Sequence, residues 1–92
     1  MNHQITEIQI MPIKPYNGLV AFASCVLNGS LYIGSIAIHQ KLDLSGYRLT
    51  YPTKKVLNRD IHVVHPITKE LSKQIEIEIL EKYQILLAKM GD

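Results

Sequence analysis

Two Asn-Gly dipeptides, Asn17-Gly18 and Asn28-Gly29, interrupt runs of apolar and β-branched residues near the start of this chain. Both central residues of a type I′ turn need positive φ, which asparagine and glycine tolerate best, so each dipeptide predicts a tight antiparallel hairpin. Three consecutive strands follow, over 5–14, 19–27 and 30–40. Asp43-Leu44-Ser45-Gly46 has the chemistry of a further turn, leading into a short fourth strand over 47–51. Asn58-Arg59 then turns the chain into a fifth strand, from about 60 to 65.

The pattern changes after Pro66. Thr68 is suited to cap a helix, and Glu70 falls in the first turn, where a negative charge opposes the helix dipole favourably. Leu71, Ile75, Ile79, Tyr83, Leu86 and Met90 recur at helical spacing, flanked by Leu80 and Leu87, which predicts an amphipathic helix over about 68–90. Ile75-Glu76-Ile77-Glu78-Ile79 alternates as a strand would, but the length of the periodic run favours helix. The expected fold is therefore α+β: one domain spanning 1–92, a five-stranded antiparallel β-meander with one long C-terminal α-helix.

Strands 2 and 3 lack a polar face. Leu19, Ala21, Ala23, Cys25 and Leu27 alternate with Val20, Phe22, Ser24 and Val26; Leu31, Ile33, Ser35 and Ala37 alternate with Tyr32, Gly34, Ile36 and Ile38. A sheet apolar on both sides needs cover on both, and one helix covers one. A second copy of the chain is the simplest cover for the other side, a sheet curled on itself the alternative. Ile77 and Ile85, off the helical stripe, point to the same kind of contact.

Other classes find little support. No apolar run approaches the ~20 residues that span a bilayer, the N-terminus lacks a secretory pattern, and the lone Cys25 excludes an internal disulfide, so a reducing cytoplasm is expected. Cys25 lies in an apolar strand and reads as a buried small hydrophobe rather than a nucleophile. His62 and His65 are three apart in a segment that reads as extended, which directs their rings to opposite faces and argues against a metal site. No Gly-x-Gly phosphate loop occurs. Neither a cofactor nor a catalytic constellation is expected, and the chain does not read as an enzyme.

Charge is unevenly placed. Arg48, Lys54, Lys55, Arg59, Lys69 and Lys73 face only Asp60 and Glu70 within the same window, a local excess of +4 in a chain of net charge +2. Residues 1–47 balance, with Lys14 and Lys41 against Glu7 and Asp43, and the segment from 74 onward is −2. Such a cluster suits a polyanion, although on charge alone a solvated rim is the commoner reading.

Four places in the sequence resemble the stage V sporulation protein G family, SpoVG, known as septation regulators. They are the opening Ile5-Thr6-Glu7-Ile8-Gln9-Ile10, the small-residue strand containing Ala21-Phe22-Ala23-Ser24, the Pro52-Thr53-Lys54-Lys55 motif, and His65-Pro66-Ile67 followed by a helix bearing Tyr83. Two departures stand out: the hairpin after the paired lysines is compact, and Ser72 and Gln74 occupy positions of the first helical turns where the family commonly has basic residues.

The resemblance implies a bacterial dimer that binds DNA, in some members RNA, to regulate gene expression and septation or sporulation. It turns the basic cluster from a solvated rim into an expected nucleic-acid interface, with Lys54, Lys55, Arg59, Lys69 and Lys73 as the phosphate-binding residues and Arg48 as a possible addition. Tyr51 has two readings, stacking on an unpaired base or packing as a strand residue, the second being the commoner role for tyrosine. The rival from another class is a protein–protein interaction module with no nucleic acid involved.

Overall fold

The computed structural model describes residues 3–90. Its elements are β1 (Ile5–Tyr16), β2 (Leu19–Leu27), β3 (Leu31–Gln40), β4 (Tyr47–Thr50), β5 (Thr53–Val56), β6 (Arg59–His62) and α1 (Lys69–Met90). The first four strands form an antiparallel meander in the order β1-β2-β3-β4. Both Asn-Gly turns are where the sequence put them, with φ of +50° and +88° at Asn17 and Gly18, and +52° and +66° at Asn28 and Gly29.

The fifth strand does not extend this sheet. Residues expected to lead from strand 4 to strand 5 instead form a strand of their own, β5, and β5 and β6 pair only with each other in a separate two-stranded sheet. The turn between them is Leu57-Asn58, one residue earlier than expected, and the second strand ends at His62 rather than His65. The physical reason lies in the composition. Thr53-Lys54-Lys55-Val56 has no apolar face to bury, and Pro52 lacks the N–H that a continuing ladder would use.

Burial explains the α1 packing. Ile75, Ile79 and Tyr83 are buried against Ile5, Ala21, Ala23, Cys25, Ile33, Ile36 and Ile38. The small residues down the middle of β2 leave a furrow that the long isoleucines of β3 and α1 fill. At its other side the helix meets β4, where the rings of Tyr47 and Tyr83 contact edge to face at 5.2 Å. Thr68 caps the helix as expected: its Oγ1 accepts from the Leu71 N–H at 3.2 Å, and its carbonyl accepts the Ser72 N–H. Leu86 is half-buried and Met90 exposed, so the stripe outlasts the sheet beneath it.

Strict alternation fails in β3. Ile33, Ile36 and Ile38 all face the helix because an irregularity at Ser35, with φ of +56°, inserts one residue opposite Ala23 and Cys25. Glu7, with φ of +50°, does the same in β1 and brings Ile5, Ile8 and Ile10 to the core side. The expected pairing of Ile33 with Ser35 and Ala37 on one face is corrected accordingly.

The side of the sheet away from α1 remains open. Cross-strand partners place Met11, Phe22 and Ala37 in one row and Thr6, Val26 and Tyr32 in another. Met11 and Tyr32 are 67% and 69% exposed. A shallow trough runs between them past Gln9, Ser24 and Ser35. Tyr32 reaches it by lying over Gly34, where an added Cβ would come within 2.8 Å of the ring.

Candidate nucleic-acid interface

The β5–β6 ribbon carries three of the five expected contact residues. All eight of its strand residues are exposed. Its base is tied by the Val63 N–H donating to the Pro52 carbonyl at 2.9 Å. The register sets Thr53 opposite His62, Lys54 opposite Ile61, Lys55 opposite Asp60 and Val56 opposite Arg59. Because successive strand residues alternate, Lys54 and Lys55 point to opposite faces. One face therefore presents Lys54 and Arg59 with Val56 and Ile61. The other sets Lys55 against the opposite charge of Asp60, beside Thr53 and His62. The paired lysines, a unit in the sequence, are divided by the structure.

Leu57 occupies the first position of the two-residue tip with φ of +57° and is 90% exposed. Type II′ turns take glycine there, since the left-handed region costs other residues about 1–2 kcal/mol. Nothing in the sequence reading singled out this leucine. The only available signal was the absence of glycine from a two-residue hairpin loop.

The remaining two cations, Lys69 and Lys73, lie one turn apart at the start of α1 and share an exposed face. They line a depression with Pro66, Ile67, Thr68, Ser72 and Glu76. Backbone N–H groups of a helical first turn favour an anion there, while Glu76 keeps the local field mixed. Residues 63–68 join the ribbon to this turn. Arg48 is exposed on β4, opposite His39. Burial and then the Arg48 charge lower the His39 pKa, and its Nε2 lies 3.0 Å from the Thr50 hydroxyl.

One expectation changes. The His62 and His65 rings do not diverge: their centroids are 4.2 Å apart, because the chain bends at Val63-Val64 instead of continuing extended. Among the described residues no group of three or more His, Cys, Asp or Glu side chains could hold a metal ion. Gln74, one of the two residues that depart from the SpoVG pattern in the first helical turns, ties His3 to the helix. Its amide nitrogen donates to the His3 carbonyl and to Glu78, and its oxygen accepts from the His3 N–H.

Tyr51 packs against the core rather than standing ready to stack. Its hydroxyl is buried without a hydrogen-bond partner, and burial pushes the phenol up to about 12, with the Cys25 and Glu76 charges adding to it. A buried orphan hydroxyl is a net cost. Tyr51→Phe is therefore expected to stabilise the fold by about 1 kcal/mol in urea denaturation. Because the folded-state pKa is raised, the neutral phenol's contribution is complete below pH ~10 and is lost as pH rises toward 12. The variant should lose less stability over that interval. A destabilised variant would mean that the hydroxyl has a partner after all. Cys25 is fully buried and its thiol is pushed up by burial and then Glu78, so it is a packing residue.

A helix laid on one face of an antiparallel meander, with a basic ribbon standing clear of both and two further cations at the helix start, defines a small α+β domain. Comparison with protein-family models matches SpoVG over residues 3–85. The chain belongs to the SpoVG family. Comparison with curated proteins gives no match. Among the described residues no helix is long and apolar enough to cross a membrane.

Proposed function

We propose that this chain is a cytoplasmic, non-catalytic regulator that binds DNA, or RNA, as a homodimer and so modulates gene expression and septation or sporulation. The observation that carries the reading is the fully exposed ribbon bearing Lys54, Lys55 and Arg59, joined through residues 63–68 to a helix start bearing Lys69 and Lys73. These cations neutralise phosphates, release counterions and give affinity a steep salt dependence. No cofactor or small-molecule substrate enters this mechanism.

Dimerisation rests on a second observation. Met11, Phe22 and Tyr32 are exposed on the open side of the sheet, and Ile77 and Ile85 are exposed on α1, Ile85 beside Ile10 of β1. In a chain of 10.5 kDa this is much apolar surface to leave in water. A two-fold dimer covers one patch on each copy and doubles the number of cations along a duplex.

The test is a titration against duplex DNA, single-stranded DNA and RNA at two salt concentrations, with light scattering on the same sample. Binding that weakens steeply with salt, by a species of twice the chain mass, is expected. Absence of binding to all three at low salt would sink the reading and favour the protein-interaction module. A mass of one chain at micromolar concentration would remove the dimer.

A further inference from the structure

Once the phosphate-binding cations are assigned, the tip of the ribbon remains unexplained. Leu57 is 90% exposed at a position where glycine or asparagine would be unstrained. Its flanks are not neutral: Lys54 and Arg59 share the ribbon face that carries Val56 and Ile61, and that face has no acidic residue within β5 or β6. A large apolar side chain held at the end of a narrow basic arm has the shape and charge of a wedge for a polyanion with a stackable interior. Proteins that kink duplex DNA insert leucine, isoleucine, methionine, phenylalanine or proline between base steps from the minor groove, with basic residues gripping the flanking backbone.

We infer that the β5–β6 ribbon enters the minor groove of duplex DNA by its Lys54/Arg59 face and inserts Leu57 between two base pairs, kinking the duplex. This rests on the nucleic-acid reading above and gives it an orientation. The two cations grip phosphates on either side of the step, and Lys55, turned away and set against Asp60, contributes little. Specificity then comes from deformability rather than base-edge contacts. Pyrimidine–purine steps such as TA unstack at least cost, so a duplex with a central TA step is favoured over a stiff A-tract.

The test uses the full chain and short duplexes labelled at both ends for energy transfer, with 2-aminopurine at the central step. Wild type is expected to shorten the end-to-end distance, to raise 2-aminopurine fluorescence and to prefer the TA duplex. Leu57→Gly removes the wedge while relieving the backbone, so the fold persists. It should abolish the bend and lower affinity about tenfold, because the apolar contact is lost, with the salt slope unchanged. Lys54→Ala with Arg59→Ala should flatten that slope by about 1.8 per chain, about 3.6 for the dimer, and Lys55→Ala by well under ~0.9 per chain.

Wild-type bending that survives Leu57→Gly overturns the inference, as does an equal effect of Lys54→Ala and Lys55→Ala. A Leu57→Gly chain that turns from dimer to monomer would overturn it by reassigning the tip to the subunit interface. If wild type binds duplex, and only Lys69→Ala with Lys73→Ala weakens it, the ribbon proposal falls while the nucleic-acid reading stands. If wild type binds no nucleic acid, both fall.

Discussion

Ile79→Ala is expected to cost about 2–5 kcal/mol of folding stability. Ile79 is fully buried at the centre of the contact between α1 and the sheet, in one cluster with Ile36, Ile38 and Ile75. Truncation removes the transfer free energy of the side chain and leaves a cavity that neighbours on three elements must collapse to fill. A domain of this length holds only about 5–14 kcal/mol in total, so the loss is a large fraction of it. Urea denaturation at fixed protein concentration reads the effect as a lower midpoint with an unchanged m-value. Ile77→Ala is the control: Ile77 is 52% exposed on the outer side of the same helix, and its loss leaves the chain's own fold intact. A cost below 1 kcal/mol at Ile79 would mean that α1 does not rest on the sheet as described.

Replacing Lys54, Arg59, Lys69 and Lys73 together by alanine is expected to remove most of the salt dependence of binding. Four phosphate contacts per chain, doubled in the dimer, account for a slope of about 7. Between 50 and 200 mM salt, wild type should therefore lose ~10⁴-fold more affinity than the variant. All four side chains are exposed and the Thr68 cap is untouched, so circular dichroism and light scattering should match wild type. A variant with wild-type slope would move the binding surface to other cations, with Arg48 on β4 the first to examine.

The candidate site was legible in part. The shared face of Lys69 and Lys73 was legible because spacing on a helix translates directly into one. The paired lysines were not, because their separation onto two faces depends on β5 being a strand, and Pro52-Thr53-Lys54-Lys55 has neither the alternation nor the apolar content that marks one. The contact between His62 and His65 was missed for a similar reason. Two valines favour extended chain locally, but the chain must reverse from the ribbon base to the helix start, and it bends there.

Short-range sterics and periodicity were enough, within the sequence alone, for the two Asn-Gly hairpins, the Thr68-capped helix, and the stripe through Ile75, Ile79 and Tyr83. Each of these depends on φ preference, capping or spacing within a few residues. Tertiary structure decided which strand residues meet the helix, since Glu7 and Ser35 adopt positive φ only where packing against β2 and α1 outweighs their local preference. It also decided that Tyr51 would bury an unpaired hydroxyl and that the last hairpin would leave the sheet to stand in solvent. Those outcomes turn on long-range competition for buried surface, which no window of a few residues records.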